Sequence, residues 1–390
     1  MSTEPLPPRA TGAPDQVGPL SGFAVAVTAA RRRVEFGTAL ERKGAEVVYG
    51  PAIEIQSLED DDTLRAVTQA CIDAPPDIVV ATTGIGFRGW IDAADSWGLG
   101  GPLLEALGRA QLYARGPKVV GAMHAAGLFG EWSPASESSS EVLERLLTTD
   151  LQDRRLVIQL HGEPLPDVVD ALRAAGAEVV EAQVYRWLPH PDAAPLARVC
   201  QLTAARELDC VTFTSAPAAA SFLQASERDG FLPEVLAALQ GEVLAAAVGP
   251  VTAAPLQRAG VPVLHPARSR LGALVREIAE QVPARRAHRL VAAGHRLEVR
   301  GRAVLVDGVL VTPGRTGMAL LRRLTAHPGQ VLTRAELGAG LPGGDADPHA
   351  VEVSVGRLRS ALGDPRIVQT VVKRGYRLAF EPEADVTWRY

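Results

Sequence analysis

One phrase occurs twice in this chain. ALERKGAEVV runs from Ala39 to Val48, and ALRAAGAEVV from Ala171 to Val180, an offset of 132 residues. The echo holds elsewhere at the same spacing. VAVT (Val25–Thr28) aligns with VIQL (Val157–Leu160), and DIVVATTG (Asp77–Gly84) with DCVTFTSA (Asp209–Ala216). ARGPKVVGAMHAAG (Ala114–Gly127) aligns with AVGPVTAAPLQRAG (Ala247–Gly260) after one inserted residue. Each copy reads strand, loop, helix, Gly-Ala, strand, then strand, Thr-rich turn, helix, then a Gly-Pro turn and another helix. Strands alternating with helices imply a parallel sheet covered on both faces. Gly44 and Gly176 fall where a helix ends, a place that often needs a left-handed backbone. The repeat therefore predicts an α/β fold with two similar doubly wound lobes.

Ligands of such folds sit beyond the carboxyl ends of the strands. The loops expected there are TAARRR, ATTGIGFRGW, ARGPK, QLHGEP, FTSAP and VGPVTA. They are rich in Thr, Ser, Gly and Lys/Arg and poor in acids. Taken singly they read as ordinary caps and turns. Six of them, repeated over two lobes, point to a cleft for anionic ligands, because helix N-termini offer free backbone N–H groups. A dinucleotide site would want G-x-G-x-x-G after the first strand, and TAARRR has no glycine. A phosphoacceptor receiver would want acids after its first strand, where Arg31–Arg33 stand instead.

The chain has 390 residues, room for two or three domains. Its three cysteines, Cys71, Cys200 and Cys210, form no Cys-x-x-Cys, so reduced thiols and a cytoplasmic setting are expected. No spacing suits a metal, no apolar run suits a membrane span, and residues 1–19 read as a disordered leader. The net charge of −5 is uneven: residues 284–390 hold 17 Lys+Arg against 10 Asp+Glu, so the remainder is acidic. A basic tail on an acidic body is a prior for nucleic acid at the C-terminal end, and for docking of the two parts.

Residues 20–283 resemble uroporphyrinogen-III synthase. The resemblance rests on VAVTAAR, GAEVVYGPAIEI, TTGIGFRGW, QVYRW, VTFTSAP and AVGPVTAAPLQRAGVPVLHP. It implies two α/β lobes joined by a two-stranded connector, formed by VYGPAIEIQS (48–57) and EAQVYRWLP (181–189). Lobe 1 would comprise 20–52 with 188–283, and lobe 2 would comprise 55–184. Members close linear hydroxymethylbilane into a macrocycle with one pyrrole inverted, without a cofactor. Their substrate carries many carboxylates. On the resemblance, Tyr185 and Thr252 are the catalytic candidates, although Tyr185 is also readable as a plain connector aromatic. The ligand-binding candidates are Thr28, Arg31, Thr82, Thr83, Gly84, Gly116, Lys118, His161, Gly162, Thr214, Ser215 and Gly249. The turn Gly116-Pro117-Lys118-Val119 departs from the family's Gly-Pro-x-Thr, with Val119 in place of Thr, which supports binding further than turnover.

After an expected linker at 284–290, Asp307-Gly308 between two VLV runs signals a tight hairpin. A helix is expected at 314–326, a Thr333-capped short helix next, and a longer helix from Pro348 with Val351, Val355, Leu358 and Leu362 inward. Over 291–380 the motifs VTPGRTGMALLRRLTAHPGQVLTRAEL, AVEVSVGRLRSALGD and IVQTVVKRGYRL resemble the winged helix-turn-helix domain of OmpR/PhoB-type regulators. That resemblance implies a helix in the major groove and a hairpin wing in the minor groove of double-stranded DNA. The DNA-binding candidates are Ser354, Arg357, Arg359, Lys373, Arg374 and Arg377. Ser354, Gly356 and the Lys373-Arg374 pair depart from the usual pattern, so no target sequence carries over.

Three readings stand. The first is a transcription regulator whose synthase-like body senses a tetrapyrrole-like polycarboxylate near Arg31, Lys118, His161 and Thr252, with nitrite- or sulfite-assimilation genes as targets. The second is a working synthase with an attached regulatory domain. The third is an interaction scaffold. The oligomeric state is left open.

Overall fold

The computed structural model describes residues 17–57, 62–135, 138–162, 165–341 and 347–382. The leader expected at 1–19 falls almost wholly outside that range. Its last residues belong to the fold: the Gly18 carbonyl accepts from Ser21 N, and Leu20 is fully buried.

The chain divides into two compact units, Ile53–Pro189 and the remainder. It begins with β1 (Ala24–Val27), α1 (Arg33–Glu41) and β2 (Glu46–Tyr49). The continuous unit, lobe 2, follows. It contains β3 (Ile53–Ser57), α2 (Asp62–Asp73), β4 (Ile78–Ala81), α3 (Gly84–Ser96), α4 (Gly100–Gly108), β5 (Gln111–Ala114), α5 (Pro117–Ala125), α6 (Ser139–Leu147), β6 (Arg155–Gly162), α7 (Pro166–Ala174) and β7 (Glu178–Pro189). The chain then returns to lobe 1 with α8 (Ala194–Ala204), β8 (Cys210–Phe213), α9 (Ala216–Arg228), α10 (Leu232–Gln240), β9 (Leu244–Ala247), α11 (Pro250–Arg258), β10 (Val263–Leu264) and α12 (Leu271–Arg286).

Lobe 1 has strand order β10-β9-β8-β1-β2 and lobe 2 has β3-β7-β6-β4-β5. All neighbours are parallel except β3 on β7, which is the antiparallel connector. The shared order shows what the repeat is. The offset of 132 maps β1 and β2 onto β6 and β7, and β4 onto β8. Each lobe thus takes the first half of one copy and the second half of the other. Gly44 and Gly176 end their helices at φ 95 and 92, as a left-handed cap requires. The central strands β1, β4 and β8 are buried on both faces, with Val25, Val27, Phe36 and Leu274 central to lobe 1 and Val79, Trp90, Leu103 and Val157 to lobe 2.

The expected linker at 284–290 is not a loop. Residue 286 ends α12, and β11 starts at His288. The winged domain is β11 (His288–Ala292), β12 (His295–Val299), β13 (Val304–Val306) and β14 (Val309–Val311), then α13 (Gly314–Ala326), α14 (Arg334–Gly338), α15 (Pro348–Leu362), β15 (Val368–Val371) and β16 (Gly375–Leu378). Asp307 and Gly308 turn the β13–β14 hairpin at φ 51 and 88, so both central residues are left-handed. Thr333 and Glu336 close a capping box on α14. The core gathers Leu320, Leu321 and Leu324 of α13 with Val351, Val355, Leu358 and Leu362 of α15.

His295 ties this domain together. Its Nδ1 lies 2.7 Å from Asp307 and its Nε2 3.1 Å from Asp364. The hydrogen bond to Asp307, then that to Asp364, raises its pKa above the ordinary value. A raised folded-state pKa gives stability that is complete below the unfolded value of about 6.5 and is lost as pH rises through the folded value. Hydrogen exchange in β12 and β13, corrected for intrinsic rates, should therefore quicken as pH rises from about 6 towards 8. In His295→Gln that dependence should disappear; an unchanged profile would mean that the pair of carboxylates does not hold the ring.

Candidate functional site

In lobe 2 the expected ligand loops meet at the carboxyl ends of β4, β5 and β6. Gln159, on β6, organises them. Its Oε1 accepts from Thr82 N and Thr83 N, both at 3.2 Å, and its backbone carbonyl accepts from Thr82 Oγ1 at 2.7 Å. Thr83 caps α3 by accepting from Gly86 N at 3.1 Å, and its hydroxyl lies 3.3 Å from Tyr185 OH. A Cβ on Gly86 would lie 2.3 Å from Gln159 Nε2, and one on Gly84 would meet the Lys118 carbonyl at 2.1 Å. Gly162 has φ 86, and a Cβ there would press on Trp187 and Tyr185. Thr82, Thr83, Gly84, Gly162 and Tyr185 therefore form one packed group, with Gly116 capping α5 and Lys118 exposed in its first turn. His161 is on β6, and its side chain lies outside the described residues.

Lobe 1 repeats the scheme with different chemistry. Ser215 stands at the place of Thr83 and caps α9 through Ala218 N at 3.4 Å. Gly249 caps α11, and Thr252 is buried in its first turn. Arg31 is exposed after β1, and Thr214 is half-buried after β8. Thr28 is committed elsewhere: its Oγ1 donates to Thr212 O at 2.8 Å, and Thr212 Oγ1 donates to Ala26 O at 2.8 Å. The residue equivalent to Gln159 is Val27, a core aliphatic. Gln159 went unmarked in the sequence, although an amide inside the apolar run VIQL is a signal. A buried polar side chain in a central strand is retained only if its hydrogen bonds are made.

The winged domain presents the face of α15 opposite its core. Arg357 is exposed there and Ser354 is half-buried. Arg359 is not free to reach a base. Its Nε donates to Val368 O at 2.7 Å and its Nη2 to Thr370 Oγ1 at 2.8 Å, with the guanidinium 5.6 Å above the Tyr376 ring. It pins α15 to the β15–β16 hairpin. Lys373 (φ 61) and Arg374 form the exposed tip of that hairpin, and Arg377 donates to Gln369 at 3.0 Å on its side.

The winged domain also joins lobe 1 by chemistry that only the structure reveals. Arg302 N donates to Gly22 O at 2.7 Å, and its side chain pairs with Glu46. Arg300 donates to Ser21 O at 2.6 Å and pairs with Glu298 at 2.8 Å. Arg315 pairs with Glu207. Asp209 lies beneath Gly301, where a Cβ would be 2.0 Å from its carboxylate. Asp209 accepts from Ala24 N at 2.8 Å, as Asp77 does from Arg155 N in lobe 2. Burial raises the Asp209 pKa, offset by the Ala24 amide and by Arg286, Arg322 and Arg302.

Residues 34–276 match the family described as uroporphyrinogen-III synthase HemD. The chain belongs to the uroporphyrinogen-III synthase family. A relative of unassigned role, YjjA of Bacillus subtilis, is 29% identical over 265 residues, 67% of this chain and 96% of its own. A solved uroporphyrinogen-III synthase from the extremely thermophilic bacterium Thermus thermophilus is 28% identical with a TM-score of 0.53, covering 66% of this chain and 99% of that one. Residues 309–378 match the C-terminal domain of transcriptional regulatory proteins. The response regulator PmrA of Pseudomonas aeruginosa is 35% identical over 108 residues, 27% of this chain; the match spans about half of that regulator. The chain is thus a uroporphyrinogen-III synthase-type body fused to an OmpR/PhoB-type winged helix. Among the described residues, no group of His, Cys, Asp and Glu is arranged to hold a metal, and no helix is long and apolar enough to cross a membrane.

Proposed function

We propose that this protein is a DNA-binding transcription regulator whose synthase-like body senses a small anionic ligand. The observation that carries the reading is the fusion itself, with the DNA-type domain built straight onto lobe 1. Residue 287 alone separates α12 from β11, and Arg300, Arg302 and Arg315 fasten the two parts. A ligand change in the body therefore has a mechanical route to α15. The proposed ligand class is a polycarboxylate tetrapyrrole or a relative of it; the candidate residues on the strand-end loops are Lys118 and His161 in lobe 2 and Arg31 and Thr252 in lobe 1. Genes for nitrite or sulfite assimilation, which need such tetrapyrroles, are the proposed targets.

A ligand shifts a conformational equilibrium only through different affinity for the two states. Typical couplings of about 1–3 kcal/mol move the DNA dissociation constant roughly 5- to 150-fold, and DNA moves ligand affinity by the same factor. The test titrates a DNA fragment from the protein's own promoter region with full-length protein, with and without uroporphyrinogen III. It is repeated on Lys118→Ala. A ligand that binds without moving the DNA curve defeats the sensor reading.

A second reading is a working synthase with a regulatory appendage. The contact of Tyr185 OH with Thr83 Oγ1 favours it, since it leaves a phenol among the strand-end loops as a candidate proton donor for a leaving hydroxyl. A coupled assay that resolves uroporphyrinogen I from III decides between the two. Formation of isomer III that is lost in Tyr185→Phe, with the fold intact, would establish turnover.

A further inference from the structure

The junction of lobe 1 and the winged domain encloses an open cavity of about 550 Å³. That size lies within the roughly 300–1,000 Å³ of small-molecule sites. Its walls come from the end of α12, the loop before β8, the turn after β12, and α13. The charges around it do not cancel. Arg206 pairs with Glu242 at 2.9 Å, Arg315 with Glu207, Arg302 with Glu46, and Arg300 with Glu298. Asp209, which accepts from the Ala24 amide, sets one carboxylate close to both Arg286 and Arg322.

Arg286 and Arg322 share that one carboxylate, so a single positive charge is in excess. Among the described residues, Arg286 Nε is buried without a hydrogen-bond partner, and the more exposed Arg322 reaches only the Gly301 carbonyl. Neither makes an ion pair among the described residues. A buried donor without an acceptor is costly, about 1–3 kcal/mol, and a planar guanidinium fits an oxyanion through two parallel hydrogen bonds. His288 adds a further donor on the cavity wall.

From this excess we infer that the junction cavity is a second, regulatory site for a small oxyanion, gripped by Arg286 and Arg322. The ligand carries a phosphate or a pair of carboxylates, and it is distinct from anything bound at the strand-end loops. Arg322 and Thr325 lie on α13, which packs against α15. Occupancy therefore ties the end of α12 to the helix that supports the DNA-facing one.

The binding arm is independent of the proposed role in transcription. Full-length protein is titrated by calorimetry with inorganic phosphate and with malonate at constant ionic strength, using chloride as the balancing ion. Expected is saturable binding of at least one probe, weakened about tenfold or more in Arg286→Gln and in Arg322→Gln, because each loses a charge-assisted pair. Wild-type protein supplies a check that needs no variant: the bound probe should shield Arg286 from phenylglyoxal, read by peptide mass spectrometry. Preference for phosphate or for malonate identifies the ligand class, and either one supports the site. No binding of either probe at about ten millimolar, or equal binding to both variants with Arg286 unshielded, overturns it. A DNA arm then asks whether the better probe moves DNA affinity by about fivefold or more. If binding holds and DNA affinity does not move, the site stands and its regulatory role falls.

Discussion

Between about 50 and 200 mM salt, the affinity of full-length protein for duplex DNA should fall by roughly a hundredfold. The cause is counterion release. Exposed cations at Arg357, Lys373 and Arg374, with Arg377 beside them, face the side of the winged domain away from its core. Each phosphate they neutralise frees a counterion and steepens the slope. Arg357→Ala should cost about 1–3 kcal/mol and relax preference at one base pair if the side chain reads a base edge. Arg374→Ala should weaken all sequences alike and flatten the slope by about one unit. Arg359→Ala behaves differently again. It releases the hairpin, so exchange at Val368–Val371 rises even without DNA. A salt-independent affinity, or an Arg359 variant with an unmoved hairpin, would sink this picture of the interface.

Gln159→Leu should cost lobe 2 about 2–4 kcal/mol, among the larger effects of any single replacement in the body. The leucine fills nearly the same volume but leaves the N–H groups of Thr82 and Thr83 without their acceptor. An unsatisfied buried donor costs about 1–3 kcal/mol, and Thr83 is only half-buried, which trims the sum. The α3 cap and the approach of Thr83 to Tyr185 would loosen with it. Urea unfolding measures the loss, and hydrogen exchange should rise most at Thr82–Gly84. A cost under about 0.5 kcal/mol would mean that water replaces the amide.

How far the sequence discloses this molecule depends on the reach of each signal. Backbone-bound signals are short-range and read well. The repeated Gly-Ala after a helix, Asp307-Gly308 between two VLV runs, and Thr333 each fix a turn or cap within a few residues, and each is found where expected. The apolar stripe of α15 is read as safely, because helical spacing alone decides it. Long cationic side chains do not read this way. Arg359 lies off the apolar stripe, yet its guanidinium curls back to Val368 and Thr370 across the hairpin. The Arg-rich stretch around residue 285 resembles a solvated tether and is instead a helix end entering a strand. Further on, Arg300 and Arg302 find their partners, the Gly18–Gly22 turn and Glu46, more than two hundred residues away. In the same way, the repeat announces two lobes but not how the copies are shared between them.

That sharing governs how the chain assembles. On the ribosome β1 and β2 emerge first, but β1 needs β8, and Ala24 meets Asp209 across 185 positions. Closing so long a loop costs about 5 kcal/mol in chain entropy. Lobe 2 is contiguous and complete before β8 is made. Once it folds, Ile53 pairs with Pro189, and the two ends that must build lobe 1 leave from adjacent positions. The long loop has become a short clamp, so lobe 2 acts as a scaffold for the later one. Damage therefore passes in one direction: in the Gln159→Leu exchange experiment, amides of β1 and β8 should lose protection along with those of lobe 2, although no atom near them has changed.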